Sequence, residues 1–250
     1  MEPSVSVAFA QINQKVGDLA GNAARIVQAA ALAHEQGHDI LLLPELALTG
    51  YAPEDLLLRC QFLADQQAAL QSLQEALSRF QDLHVVLGHV VSNDKGTFNA
   101  ASVFLNGDNL GTYLKQELPN YSVFDEKRYF TAGRKPLVFT VREQVFGVTI
   151  CEDVWFASAA AAARQAGAET LLVLNASPYM VRKHETRLAV VRRNVCDAGM
   201  SAIYCNLVGG QDELVFDGHS FVVDRQGEVV AELNSFCEAL GSVQVASRAL

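Results

Sequence analysis

The chain has few basic residues, no paired cysteines and no long apolar runs. Its 19 lysines and arginines are outnumbered by 28 aspartates and glutamates, which gives a formal net charge of −9. A surface of that sign repels nucleic acid and anionic lipid, so a general role on either is excluded. The five cysteines form no Cys-x-x-Cys pair and are odd in number. This excludes a disulfide framework or zinc-binding cysteines and is typical of reduced thiols in a cytoplasm.

Apolar residues are plentiful but never continuous over a membrane thickness. The longest run lies around 40–44, far below the ~18 residues that a membrane helix needs. The segment 1–11 has neither a basic region nor a small-residue cleavage site, so no secretory signal is expected. Half of the 250 residues are apolar, which is enough for a substantial core. We expect one domain spanning residues 1–250, located in the cytoplasm.

Strand and helix patterns alternate in both halves of the chain and enclose a β-rich middle. The periodicity predicts helices over 23–36, 55–80, 157–166 and 181–198. Leucines seven residues apart in the second helix permit a coiled-coil seam, but packing on a sheet is the preferred interpretation. Strands are predicted over 5–9, 39–43, 84–91, 100–105, 111–115, 137–141, 145–150, 170–174, 201–205, 214–223, 228–233 and 239–243, with a hairpin turn at 106–109. Two β–α–β–α passages around a meander predict helices outside and sheets inside, in four layers.

Cys151 lies at the junction between a buried strand and an alanine-rich helix. Backbone N–H groups at a helix start carry partial positive charge, which lowers a thiol pKa and can hold an oxyanion. A nucleophile on a strand–turn–helix elbow follows the same logic in hydrolases. The alternative is an inert core thiol. Glu152 and Asp153 follow directly, and because two buried acids beside such a thiol would be costly, they favour a cleft.

Glu45 and Lys115 are the best candidate partners for this thiol. Each lies at the carboxyl end of a predicted strand, as Cys151 does, and such ends converge on one crevice in α/β sheets. Taken alone, Glu45 could be a solvated loop residue and Lys115 a surface charge. Their occurrence together favours a coupled acid, cation and thiol. His184 and His219 flank nothing that resembles a catalytic site, and they are weak candidates for the base.

The long segment 116–133 lacks periodicity yet contains four aromatic residues. Loops of this length without secondary structure inside a compact domain are usually functional. The segment follows Lys115 directly, so a functional loop beside the predicted crevice is expected.

These motifs resemble the Glu-Lys-Cys triad of the nitrilase superfamily. The resemblance rests on Leu-Leu-Leu-Pro-Glu45, on Lys115 and on Gly-Val-Thr-Ile-Cys-Glu-Asp-Val-Trp155, and it runs essentially the whole chain. Segments 48–56, 115–130 and 206–218 resemble more narrowly the glutaminase (amidohydrolase) domain of glutamine-dependent NAD⁺ synthetases. One departure is Ala52, where that family often has proline, a change of loop stiffness that should not touch the chemistry. The implied fold is an α/β, nitrilase-like four-layer αββα sandwich.

The resemblance also implies a role for each matching residue. Cys151 would attack the side-chain amide of L-glutamine, and Glu45 would act as general base and acid. Lys115 and the backbone N–H of Glu152 would stabilise the oxyanion. The expected substrate-binding residues are Tyr121, Glu152, Ser177 and Lys183. Arg182 is an alternative cation for the substrate carboxylate, and Ser177 could instead be only a turn residue before Pro178.

The same family has a second, ATP-dependent synthetase domain with a Ser-Gly-Gly-x-Asp-Ser phosphate loop. Neither that loop nor Gly-x-x-x-x-Gly-Lys-[Ser/Thr] occurs in this chain. The resemblance therefore implies no metal and no organic cofactor here, with ATP and Mg²⁺ used only by a synthetase domain elsewhere in a longer protein. That domain would receive the ammonia. A homo-oligomer is also expected, since outward-facing apolar helices on such sandwiches often self-associate.

Two other classes of function compete with a glutaminase domain. A free-standing nitrilase-type amidase or carbamoylase acting on another small amide would need no second domain. A catalytically silent assembly module is disfavoured by the presence of Glu45, Lys115 and Cys151 together. A redox protein is disfavoured because Cys151 has no resolving cysteine nearby in the sequence.

Overall fold

Two six-stranded β-sheets pack face to face in the computed structural model, which describes residues 4–246. The helices are α1 (Leu19–Glu35), α2 (Cys60–Leu77), α3 (Ala157–Gln165) and α4 (Lys183–Asp197). The strands, in chain order, are β1 (Ser4–Gln11), β2 (Ile40–Leu42), β3 (His84–Asn93), β4 (Gly96–Leu105), β5 (Asp108–Leu114), β6 (Leu137–Val141), β7 (Gln144–Ile150), β8 (Thr170–Asn175), β9 (Ser201–Asn206), β10 (Val208–Gln211), β11 (Leu214–Asp217), β12 (Phe221–Val223), β13 (Val229–Glu232) and β14 (Ala239–Ala246).

Each sheet has a parallel centre with antiparallel edges. The first runs β14-β1-β2-β3-β4-β5, and β1, β2 and β3 are parallel. The second runs β13-β12-β9-β8-β7-β6, and β7, β8 and β9 are parallel. Strands β10 and β11 form a separate hairpin. Parallel strands of one sheet end at the same edge. The N–H of Ala176, just after β8 in the second sheet, donates to Glu45, just after β2 in the first, so the strand ends of the two sheets meet at one crevice.

Apolar side chains fill three layers, one between the two sheets and one between each sheet and its helices. Side chains of the two sheets meet in the middle, with Phe9, Leu42 and Val86 from the first sheet and Phe146 and Leu172 from the second. Helices α1 and α2 cover the outer face of the first sheet, and α3 and α4 cover that of the second. The predicted four-layer αββα fold is confirmed. The leucines of α2 pack on a sheet and not in a coiled-coil seam.

The helix predictions needed correction at their ends. The predicted helix over 55–80 is wrong as one element, because the extended backbone of Arg59 separates a short 3₁₀ turn, Glu54–Leu58, from α2. Helix α1 begins four residues before the predicted start, since the Asp18 side chain accepts from the N–H of Gly21. Helix α4 begins at Lys183 because Arg182 is left-handed, with φ 62°. No helix within residues 4–246 is long and apolar enough to span a membrane.

One predicted strand, over 214–223, is two strands in the structure. Gly218 and His219 have φ values of 66° and 53°, which turn the chain between β11 and β12. Strand β10 was not predicted, because Val208–Gln211 contains two glycines and has low strand propensity. The hairpin predicted at 106–109 is present between β4 and β5.

The apolar layer between the two sheets should contribute strongly to the free energy of unfolding. Phe9 is 0% exposed, and a Cβ on Gly241 would lie 2.5 Å from its ring. Phe9→Ala removes a ring from this layer, and we expect the free energy of unfolding to fall by about 3–5 kcal/mol in urea denaturation. The matched control is Leu110→Ala, on a β5 side chain that is 51% exposed. A loss in Phe9→Ala no larger than in this control would contradict the assigned layer.

Candidate active site

Glu45 is held at the end of β2 by a close backbone approach to β3. A Cβ added to Gly88 would lie 2.5 Å from the carbonyl oxygen of Pro44 and 2.9 Å from the carbonyl carbon of Glu45. Only glycine lets the two backbones come this near. The Glu45 side chain is then buried, with Oε2 accepting from the N–H of Ala176 at 2.9 Å and Oε1 from Asn99 Nδ2 at 2.7 Å.

Lys115 is a fully buried cation between two carboxylates. Its Nζ donates to Glu45 Oε1 at 2.7 Å and to Glu126 Oε1 at 2.8 Å. Tyr51 donates a further hydrogen bond to Glu126 Oε1 at 2.9 Å. Glu126 was not among the predicted site residues. The only signal for it was the long aperiodic segment 116–133, which pointed to the loop and not to the residue.

Burial and mutual contact set the charge states of this cluster. Burial alone would lower the pKa of Lys115, but Glu126 and Glu45 raise it well above its usual range, so the ammonium is kept. Burial raises the pKa of Glu126 to about 7, although Lys115 pulls in the opposite direction. The Lys115 charge therefore has a fixed position, since two of its three N–H donors bind Glu45 and Glu126 within the protein interior.

Cys151 opens the 3₁₀ turn Cys151–Trp155 directly after β7, with a left-handed φ of 44°. Its thiol interacts electrostatically with Glu45, Lys115 and Glu126. The expectation of a lowered thiol pKa is wrong. Burial, followed by the charge of Glu45, raises the pKa of Cys151 well above its usual value, and Lys115 offsets only part of this. The resting group is a neutral thiol that needs a base when it reacts.

Glu152, Tyr121 and Lys183 lie together beside the thiol. The Tyr121 hydroxyl donates to the Glu152 carboxylate, at 3.0 Å to Oε1 and 3.1 Å to Oε2. Lys183 Nζ lies 4.6 Å from the centre of the Trp155 ring and interacts electrostatically with Glu152. Burial raises the pKa of Glu152, while Tyr121 and nearby lysines lower it. Tyr121 remains 53% exposed, so this group forms the solvent side of the site.

Ser177 is positioned by a buried ion pair that the sequence did not reveal. Its N–H donates to Asn206 Oδ1 at 2.9 Å, and its Oγ accepts from Arg187 Nε at 3.0 Å. Arg187 also donates to both oxygens of Asp217, at 2.9 Å each. Ser177 follows Ala176, whose N–H binds Glu45, so the turn after β8 lies against the buried cluster.

His184 and His219 lie with Glu232 and not with the predicted triad. Each Nε2 approaches Glu232 Oε1, at 2.8 and 2.9 Å. Among residues 4–246, these three side chains are the histidine, cysteine or acidic group close enough together to be considered as a metal site, with ligand atoms within 4.8 Å of one another. The two rings are stacked at 3.6 Å and 10°. Because the in-plane lone pairs of parallel rings cannot meet at one ion, the arrangement does not fit a metal without ring rotation.

The arrangement has the parts that cleavage of a carbon–nitrogen bond requires. A thiol can attack a carbonyl carbon, a neighbouring carboxylate can carry its proton, and a fixed ammonium can stabilise negative charge on oxygen. A model of the carbon-nitrogen hydrolase family matches residues 6–249, and the chain belongs to that family.

Two of the similar proteins are glutamine-dependent NAD(+) synthetases. The chain is 42% identical over 238 residues to the glutamine-dependent NAD(+) synthetase of Acinetobacter baylyi, covering 95% of this chain and 43% of the relative. It is 43% identical over 226 residues to the enzyme of that name from Thermotoga maritima, covering 90% of this chain and 39% of the relative. The chain thus spans less than half the length of these relatives.

Solved structures agree with both the fold and the family. The glutamine-dependent NAD⁺ synthetase of Acinetobacter baumannii, in complex with ADP, superposes with a TM-score of 0.91 at 38% identity, covering 97% of this chain and 45% of that one. An amidase from Nesterenkonia superposes with a TM-score of 0.88 at 26% identity, covering 97% of this chain and 90% of that one.

The Glu126 carboxyl makes stability depend on pH. Its pKa is near 4.5 when unfolded and about 7 when folded. Between these values the folded chain keeps a proton that the unfolded chain has released, so raising the pH through this window destabilises the fold. We expect the free energy of unfolding of wild type to fall from pH 5 to pH 8 by ~1–3 kcal/mol relative to Glu126→Gln, measured by urea denaturation. Parallel pH profiles for the two proteins would refute this assignment.

Proposed function

We propose that this chain is a glutamine amidohydrolase unit that hydrolyses L-glutamine to glutamate and ammonia through a thioester on Cys151. The carrying observation is the buried Glu45–Lys115 ion pair, at 2.7 Å, beside the Cys151 thiol. The choice of glutamine is supported by the relatives named glutamine-dependent NAD(+) synthetase, the first of which is 42% identical.

The proposed reaction uses each group in turn. Glu45 accepts the Cys151 proton as the sulfur attacks the amide carbon, so the high thiol pKa is no obstacle. The ammonium of Lys115 and the N–H of Glu152 stabilise the oxyanion. Glu45 returns the proton to the leaving nitrogen, which departs as ammonia and leaves a glutamyl thioester. Water, activated by Glu45, then releases glutamate and restores the thiol. No metal or organic cofactor is needed for these steps in this unit.

Tyr121, Ser177 and Lys183 are proposed to hold the substrate. Lys183 is favoured over Arg182 for the α-carboxylate because its charge is felt by Glu152, whereas Arg182 is exposed on a left-handed turn. Ser177 is set by Arg187 and Asn206, and Tyr121 by Glu152. With the neighbouring Glu152 carboxylate, these residues contribute a cation, an acid and neutral polar groups, which suits an amino acid carrying both charges.

The proposed physiological partner is an ATP-dependent NAD⁺ synthetase domain of a longer polypeptide. The support is that the relatives carry that name and are more than twice as long as the matched region. ATP and Mg²⁺ would act there, and the ammonia released at Cys151 would be consumed there.

A free-standing amidase is the second candidate. It is favoured by the Nesterenkonia amidase, of which the chain covers 90%, and a variant of that protein has been solved with butyramide. Comparing turnover of L-glutamine and butyramide discriminates the two. Turnover of butyramide without turnover of L-glutamine would favour the amidase.

Cys151 labelling tests nucleophile and substrate together. We expect a diazo-ketone analogue of glutamine to add once, on Cys151, with protection by excess L-glutamine, as measured by intact-mass and peptide mass spectrometry. Cys151→Ala should remove both the adduct and all detectable glutamine turnover, because no other group can form the thioester. Exposed Cys60 and buried Cys205 serve as internal controls. Glutamine turnover in verified Cys151→Ala protein would contradict the thioester mechanism.

Substitution of the two neighbouring cations tests which one binds the α-carboxylate. Lys183→Met should raise KM for L-glutamine about tenfold or more with a smaller change in kcat, since a contact present throughout the reaction is lost. The matched control is Arg182→Met, for which KM should stay within about twofold. Steady-state ammonia release gives both constants. A larger effect in the Arg182 variant would reverse the assignment.

A further inference from the structure

The Asp153 carboxylate is completely buried and accepts four hydrogen bonds. Its Oδ1 accepts from the backbone N–H groups of Gln116 at 3.0 Å and Glu117 at 2.8 Å. Its Oδ2 accepts from the N–H of Ile150 at 3.0 Å and from the Tyr113 hydroxyl at 2.8 Å. Two carboxylate oxygens offer about four lone-pair directions, so the acceptor capacity of this side chain is fully used.

These donors come from the segments that carry the two reacting groups. Ile150 precedes Cys151 at the end of β7, in the second sheet. Tyr113 lies near the end of β5, in the first sheet, and Gln116 and Glu117 directly follow Lys115. One side chain therefore ties the nucleophile's strand to the cation's strand across the two sheets.

The backbone at Cys151 needs such a tie. Its φ of 44° is rarely adopted by residues with a side chain, and such a conformation persists only when the surroundings hold it. The Ile150–Asp153 hydrogen bond spans Cys151 and fixes that bend. The Lys115 backbone is fixed independently, through its N–H to Asn99 at 2.9 Å and its carbonyl to the N–H of Gly133 at 2.7 Å.

We propose that Asp153 is a positioning residue that sets the distance and orientation between the Cys151 sulfur and the Lys115 ammonium. It acts through the backbone and does not touch the substrate. The earlier inference that acidic neighbours of Cys151 mark an open cleft is thereby corrected for Asp153, because four donors offset the cost of its burial. The positioning role depends on the proposed function only for the identity of the substrate, L-glutamine, that is used to measure kcat.

A carboxylate is required at this position, and not merely a polar side chain. Asparagine has the same shape but a single acceptor oxygen, so its amide NH₂ would face either the N–H groups of Gln116 and Glu117 or those of Ile150 and Tyr113. Opposed donors push the two segments apart. A misplacement of about 1 Å in a catalytic constellation can cost on the order of 100-fold in rate.

The test compares Asp153→Asn with Tyr113→Phe, which removes one donor and leaves every backbone N–H in place. We expect kcat for L-glutamine to fall about 100-fold in Asp153→Asn. KM should change less than about threefold, because Tyr121, Ser177 and Lys183 are held by other contacts. Tyr113→Phe should keep wild-type kcat above pH 8. Circular dichroism and thermal unfolding establish that each variant is folded at the assay temperature.

The pH dependence of kcat provides a second test. It would not change if Asp153 only stabilised the fold. Burial raises the pKa of Asp153 to about 6, and the N–H groups of Glu117 and Ile150, the Lys115 charge and the Tyr113 hydroxyl all lower it. The acid limb of kcat in Tyr113→Phe should therefore move to higher pH than in wild type. This variant carries the test if Asp153→Asn does not fold. An unmoved acid limb in Tyr113→Phe, or unchanged kcat in folded Asp153→Asn, overturns the proposal.

A substrate-free measurement separates this proposal from the proposed function. Iodoacetamide alkylation of Cys151 at pH 8, normalised to exposed Cys60, should slow at least about tenfold in Asp153→Asn, because the thiolate loses the nearby Lys115 charge. If wild type does not hydrolyse glutamine but this ratio falls, the substrate assignment fails and the positioning role stands. An equal ratio in wild type and in folded Asp153→Asn overturns the positioning role whatever the substrate.

Discussion

The buried ammonium of Lys115 is the constraint around which the rest of this site is arranged. Moving a cation from water into the protein interior costs several kcal/mol, and neighbouring carboxylates must offset that cost. Glu45 and Glu126 provide that environment at 2.7 and 2.8 Å. To do so, the tip of β2, the end of β5 and the loop 116–133 must converge on one point. The ion pairs thus fix the positions of three segments that are distant along the chain.

The face-to-face sheets explain how the Cys151 thiol comes to lie beside this cation. Lys115 follows the edge strand of the first sheet, and Cys151 follows β7 in the second. The apolar layer between the sheets holds them together but is non-directional, so it cannot set the relative position of two side chains to a fraction of an ångström. Directional contacts at the strand ends supply that precision, and Asp153 provides four of them.

Sequence patterns were informative where chemistry and periodicity coincided. Glu45, Lys115 and Cys151 were predicted to lie together because each follows a strand-like run, and the structure places these three side chains in one cluster. Glu126 was missed because its loop has no periodicity and contains other acidic residues that nothing distinguishes from it. The raised pKa of Cys151 was missed as well, because the sequence shows a helix start but not the burial that outweighs it.

The same buried charges bear on how the proposed reaction ends. Glu45, Lys115 and Glu126 together carry one excess negative charge when both acids are ionised. An amide substrate is neutral at its reacting end, whereas glutamate has a second carboxylate, with an ordinary pKa of about 4.3. At a pH above about 7, where Glu126 is ionised, the product carboxylate is therefore repelled by the groups that made it, which hastens its departure. A site built to hold a lysine in the interior would therefore also speed the release of an acidic product.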